Sequence, residues 1–307
     1  MVEQQRRISL PPGYKPPSRG PSRTRVLVRR LAALGLFVAV AAGGFLLLRG
    51  AIQHDAAPPP PPPAPKALRI IFPEGFTRTD MAQRIDVVNG IALRKRRVRS
   101  RLSPSAYLRL TERSQLPGGA AFARDNNARS LEGFLFPDTY EFNGKTTTRE
   151  LVRKQVANFK RQWAEVDLGY ATSHNLNGYD VLRIASLIEK EAVLPRDRAR
   201  VSTVIYNRLR RRIPLGVDAS LRYGLHLPGT KPLGPYVNST NPYNTRKYPG
   251  LPPTPIANPG LASIRAAAKP AKGCWLYFLA YPDKKRTYFT CSFRDFVNHE
   301  RQWGYIR

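Results

Sequence analysis

DVLRIASLIEKEA, residues 180 to 192, is the stretch from which the rest of the chain can be read. Val181, Ile184, Ala185 and Ile188 recur at spacings that build one apolar stripe on a helix, and Asp180 is a good N-cap residue ahead of it. Glu189 and Glu191 stand two apart, so they cannot share a face. At about 100° per residue, Glu191 lies about 60° from the centre of the stripe, and Glu189 about 100° away on the other side. Glu191 is therefore the acid expected in a partly apolar setting. Desolvation there raises a carboxyl pKa, and a general acid must hold its proton near neutral pH. Glu189 reads as a flank residue paired with Arg183 or Lys190. The plainer alternative for Glu191 is an ion pair with an arginine of the following helix.

On either side of this helix the pattern predicts a mixed α+β domain over residues 102 to 307. Helices are expected at Ser105–Arg113, Thr148–Trp163 and Asp197–Arg211, with a short strand or turn near Phe134–Phe142. Residues 228 to 260 are dense in Pro, Gly, Asn and Tyr and read as a long ordered loop, a kind of segment that is more often functional than not. Trp275–Tyr281 and Thr287–Phe293 alternate apolar and aromatic residues about Pro282-Asp283-Lys284-Lys285, which is a hairpin signal. Cys274 and Cys291 flank that hairpin. They are either bonded across it or packed as small hydrophobes, and the pattern does not choose. Ahead of this domain, residues 68 to 101 form a small unit. LRIIF reads as a strand, Pro73-Glu74-Gly75 as a turn, and Thr77 or Thr79 as the N-cap of a helix through Met81, Ile85 and Val88. The basic run Arg94 to Arg99 that follows reads as a solvated face, with a wall-facing or lipid-facing patch as the alternative.

The N-terminal fifth has a different character. Residues 1 to 30 hold eight Lys/Arg against the single acid Glu3 and show no apolar periodicity, so a disordered basic tail is expected. Leu31–Leu48 then runs without a charge for about 27 Å of helix, close to the hydrocarbon thickness of a bilayer. Its length and long basic leader favour a transmembrane helix over a cleaved signal peptide. Residues 49 to 67 contain the proline run Pro58–Pro63, which predicts a stiff polyproline spacer of about 25 Å. The chain carries 51 basic and 21 acidic residues, a net charge of +30, which attracts polyanions: nucleic acid, anionic lipid or an anionic wall. The arginine-rich leader places the N-terminus in the cytoplasm and the folded part outside, which counts against nucleic acid as the partner. No Cys/His cluster has the spacing of a metal site, so no metal is expected.

Four stretches taken together resemble one family, the endolytic murein transglycosylases of the MltG (YceG-like) type. They are LEGFLFPDTYEF from Leu131; IASLIEKEA from Ile184 with VIYNRLRRRIPLGVDASLRYG from Val204; YNT from Tyr243; and GLPPTPIANPG from Gly250 to Gly260. The segment around Pro73-Glu74-Gly75 is similar to that family's LysM-like element. The resemblance implies an inner-membrane, single-pass enzyme with an extracytoplasmic catalytic domain. Such an enzyme cleaves the MurNAc-β-1,4-GlcNAc bond of nascent peptidoglycan strands, leaves a 1,6-anhydro end and so terminates glycan elongation. It implies no cofactor, peptidoglycan strands as substrate, the membrane as anchor site and peptidoglycan synthases as candidate partners.

The acid at the family's catalytic position is Glu191. Asp218 in GVDASLRYG matches another family position, as a sugar-orienting group or an Asx-turn beside Gly216. Tyr223, Tyr243 and Asn244 are candidates for stacking on and hydrogen-bonding to sugar, with loop packing as the equal alternative. Glu132 and Asp138 read as groove-lining or loop-fixing. The chain departs from the family in its short LysM-like region and in holding Thr287 and Phe296 where histidines are frequent. The rival readings are a non-enzymatic, membrane-anchored wall-binding scaffold and a membrane-tethered nucleic-acid binder.

Overall fold

Arg23–Gln53 form one helix, α1, in the computed structural model, which describes residues 23–53, 67–112 and 130–306. The segment Leu27–Arg49 is 23 residues long, with a mean hydropathy of 2.5 and none of its most apolar window buried in protein. By length and composition it can cross a membrane. The helix begins within the stretch expected to be disordered, at Arg23, because nothing helix-breaking separates Arg23–Arg30 from the apolar run. The proline run and residues 1 to 22 lie outside the described residues.

The folded part starts with strand β1 (Leu68–Ile71) and helix α2 (Arg78–Arg96). Thr77 caps α2 through a reciprocal box: its Oγ1 accepts from the Asp80 amide at 3.1 Å, and the Asp80 carboxylate accepts from the Thr77 amide at 2.9 Å. Arg97 ends the helix in the left-handed region, and Arg94, Lys95 and Arg96 lie in the last turn, where positive charge complements the dipole. Helix α3 (Pro104–Glu112), strand β2 (Thr139–Phe142) and helix α4 (Thr148–Trp163) follow. β1 and β2 pair antiparallel, Leu68 opposite Phe142 and Ile71 opposite Thr139. Their inward residues Ile70, Tyr140 and Phe142 are buried with Met81 and Ile85 of α2, Tyr107 of α3 and Leu151 of α4. The strand of the small N-terminal unit therefore takes its only partner, among the described residues, from beyond Leu102, and residues 64–307 form one compact unit.

The remaining elements include one helix buried at the centre of the core. They are α5 (Gly169–Ser173), α6 (Gly178–Glu191), α7 (Arg198–Arg210), α8 (Asp218–Gly224), α9 (Leu261–Ala268), the hairpin of β3 (Tyr277–Ala280) and β4 (Thr287–Thr290), and α10 (Phe293–Gln302). α6 starts two residues before Asp180. Asn177 is the N-cap, and Asp180 is the third residue of its capping box, accepting from the Asn177 amide at 2.9 Å. The expected stripe is buried, and so are Tyr179, Leu182, Ser186 and Leu187, so α6 is enclosed on nearly every side. Helices α7 and α9 supply that cover, and α9 was not apparent as a helix in the sequence. Each fully buried Leu or Ile in such a helix contributes about 1.5–3 kcal/mol, so α6 is the axis on which the domain depends.

Three distant segments of the chain meet at Asn258. Its Oδ1 accepts from the amides of Gly133 (2.8 Å) and Leu135 (3.0 Å); its Nδ2 donates to the Phe76 carbonyl (2.9 Å) and Glu132 Oε1 (2.7 Å). One buried amide side chain thus ties the Pro-Glu-Gly turn, the Glu132 loop and the Asn-Pro-Gly loop together. Gly133 is needed there: its φ is +88°, and a Cβ would come within 2.8 Å of Pro255.

Candidate active site

The last turn of α6 opens into a cleft of about 490 Å³. Glu191, Val201, Val204, Ile205 and Arg208 line it from α6 and α7, Asp218 from the start of α8, and Arg246 from the long loop. Tyr277 and Phe278 of β3 and Phe293, Phe296 and Glu300 of α10 complete the lining. Glu191 arrives there because it is the final helical residue of α6, three residues past Ile188, the last one the core encloses. It is half-buried. Burial, then the negative charge of Asp218, push its carboxyl up to about 7, against the opposing pull of Arg246 and Arg208. Among the described residues no group donates a hydrogen bond to it. The expected competitor, an ion pair with an arginine of the next helix, does not form. Arg208 of α7 is spent on carbonyls instead, donating to Leu276 (2.6 Å) and Leu215 (2.7 Å). An acid that holds its proton to neutrality and has no partner among the described residues can deliver that proton to a bound molecule.

Asp218 is the one other candidate residue brought to this cleft. It receives Arg246 through both Nε (2.8 Å) and Nη2 and forms no capping bond. The Asx-turn alternative is therefore absent. Because both partners are about half exposed, this pair positions rather than stabilises.

The other named residues stand elsewhere. Glu132 is 2% exposed and accepts from the Arg78 amide (3.1 and 3.2 Å), Asn258 and Tyr223 Oη (3.1 Å). Burial is the first cause that pushes its carboxyl up to about 7, yet each of its oxygens already has a protein donor. Tyr243 Oη shares a hydrogen bond with Thr254 at 2.7 Å, and its ring lies 5.3 Å from that of Tyr223. Asn244 is fully buried and donates to the carbonyls of Val237 (2.9 Å) and Ser239 (2.8 Å). Asp138 is exposed and accepts from Asn158 at 2.8 Å. None of these five lines the Glu191 cleft. In each, the loop-fixing alternative describes the contacts that the side chain makes.

Glu189 is not a flank residue. Its carboxylate accepts from the Gly260 amide at 2.9 Å and faces Arg198 at 3.7 Å, while Arg183 turns to Asp180 and the Pro252 carbonyl, and Lys190 to the Gly75 carbonyl. The helical wheel missed this because the cover comes from distant segments. The hairpin and α10 were missed as site elements too, although the aromatic alternation near the C-terminus was the available signal. Cys274 and Cys291 form a disulfide across the base of that hairpin.

Comparison with known proteins identifies the family. The family model described as YceG-like family matches residues 51–302. A Bacillus subtilis protein named endolytic murein transglycosylase is 37% identical over 155 residues, covering 50% of this chain and 43% of that one. One of the same name from Streptococcus pneumoniae is 30% identical over 254 residues, covering 77% of this chain and 44% of that one. The chain thus spans less than half the length of these curated relatives. The crystal structure of a putative YceG-like protein from Listeria monocytogenes superposes with a TM-score of 0.63 at 27% identity, covering 75% of each chain. With the family pattern running through nearly all of the folded part and a solved relative sharing the fold, the chain belongs to the YceG-like family.

Proposed function

We propose that this protein is an endolytic peptidoglycan lytic transglycosylase, anchored through α1 with its N-terminus in the cytoplasm and its folded part outside. The relatives' names support the reaction class. The observation that carries the reading is Glu191: a carboxyl at the floor of an open cleft, protonated to about pH 7 and unclaimed by any described protein group. In this reading Glu191 protonates the glycosidic oxygen between MurNAc and GlcNAc as positive charge grows at C1. The 6-hydroxyl of the same MurNAc then attacks C1 and returns its proton to Glu191, which restores the acid and leaves a 1,6-anhydro end. A nucleophile tethered to the substrate gains the advantage of high effective molarity and removes the need for a second catalytic carboxylate. Asp218 serves by its charge, keeping the proton on Glu191, and by holding Arg246 at the cleft. Residues 68 to 101 act as the LysM-like element, and cleavage inside nascent strands ends their elongation.

The test is digestion of purified glycan strands by the detergent-solubilised full chain. Mass spectrometry should find products lighter by one water than hydrolysis would leave, and none with Glu191→Gln. Full activity in that variant would remove Glu191 from the mechanism. Normal cell-wall phenotype with the inactive variant would favour the scaffold reading instead.

A further inference from the structure

The C-terminal hairpin and α10 bring four aromatic rings to the cleft; Phe278 packs against the core, and the core has no use for the other three, Tyr277, Phe293 and Phe296. No residue of α10 is buried, and Phe293 is 61% exposed. A lone exposed ring would be ordinary, but rings in contact make a contiguous apolar patch, which marks a binding surface. The Tyr277 ring lies 5.5 Å from Phe293 and 5.2 Å from Phe296, with the two phenylalanines 6.5 Å apart, so the three form one continuous surface. The same three side chains line the cleft that holds Glu191, Asp218, Arg246 and Glu300. Arg208, itself in the cleft lining, holds Tyr277 in place, its guanidinium 5.1 Å from the ring centre while it donates to the Leu276 carbonyl.

We propose that Tyr277, Phe293 and Phe296 are a saccharide-stacking wall that seats the pyranose rings of the glycan against Glu191. The inference rests on the function proposed above and adds residues that bind the substrate. Rings of a β-1,4-linked amino sugar carry their substituents equatorially, so each face presents axial C–H groups to a neighbour. Those C–H groups are slightly positive and pack on the negative face of an aromatic ring. The polar rim of the sugar then meets the charged side chains across the cleft. An apolar peptide side chain would need enclosure on several sides, whereas this wall is open, with Phe293 exposed.

The test is binding of peptide-free glycan strands to full chain carrying Glu191→Gln in detergent, by calorimetry. Adding Phe293→Ala should weaken binding about tenfold. Phe293→Tyr should restore it within twofold, and Phe293→Leu, apolar but without a ring, should bind nearly as weakly as the alanine variant. Because Phe293 is exposed, its alanine variant should unfold at the parent's temperature. Unchanged affinity in Phe293→Ala, leucine binding as well as phenylalanine, or a loss confined to strands that bear stem peptides would each overturn the wall. Cleavage by the wild-type chain is scored separately: if it forms no anhydro ends, the reaction fails while the binding result still judges the wall.

Discussion

Two glutamates in this molecule hold their protons to about pH 7 and differ in everything else. Glu132 sits in the hub around Asn258, fully surrounded and fully hydrogen-bonded. Glu191 sits at the end of α6, half-buried, beside a cleft and without a described donor. Desolvation raises both carboxyls. What sets the two apart is the inventory of partners, since a carboxyl whose oxygens are all spoken for cannot serve a substrate, and the function proposed above therefore rests on Glu191. A raised pKa alone would have nominated both.

Substitution separates them most sharply. Glu191→Gln should lower turnover by about 10³-fold or more, the scale of a lost general acid, with an unfolding midpoint unchanged below about pH 4, where the carboxyl is protonated in both states. Glu132→Ala should do the reverse. It strands the Arg78 amide, the Asn258 amide group and Tyr223 Oη, and should cost about 3 kcal/mol in denaturant titration. If Glu132→Gln abolishes turnover while stability holds, the comparison is wrong and the hub takes part in chemistry.

Stability at the hairpin is a smaller effect. Replacing both Cys274 and Cys291 by serine opens a loop of 17 residues' separation and should cost about 2–3 kcal/mol. Activity should fall with it, because the hairpin carries Tyr277 into the cleft. A variant that unfolds more easily yet binds and cleaves as before would detach the wall from the site.

The pH dependence follows from the direction of the shifts. Both glutamates have folded pKa values near 7, above the unfolded value of about 4.3, so the native state binds more protons between those limits. Stability should therefore fall as pH rises from about 4.5 to 7, and Glu191→Gln should flatten part of that slope. Turnover should decline above pH 7 as Glu191 ionises. The smallest effect is the most informative. Asp218→Asn removes a charge that keeps the proton on Glu191 and leaves Arg246 unopposed, so the alkaline limb of the rate profile should move toward acid. A limb that stays in place would show that Asp218 acts only through geometry.

How far the sequence could be read depended on how local each signal was. Helix α4 was legible to the residue because Thr147 and Glu150 build its capping box within four positions. Glu191 was legible because the angle between a residue and an apolar stripe is a property of one helix. Asp180 was misplaced as a cap by three residues, since Asn177 also caps well and only the fold shows which one the helix uses. Glu189, Asn244 and Glu132 were not legible, because Gly260, Val237 and Asn258 reach them from distant parts of the chain.

By itself, then, the order of residues determined an apolar helix fit to cross a bilayer, a mixed α+β domain around one buried helix, and an acid at the edge of that helix. Tertiary structure alone decided that Cys274 meets Cys291, that one raised carboxyl is sealed and the other left open, and that Tyr277, Phe293 and Phe296 share a cleft with Glu191. The division has a plain cause. Periodicity and capping are settled within a few residues, whereas burial and hydrogen-bond partnership depend on what the rest of the chain brings alongside.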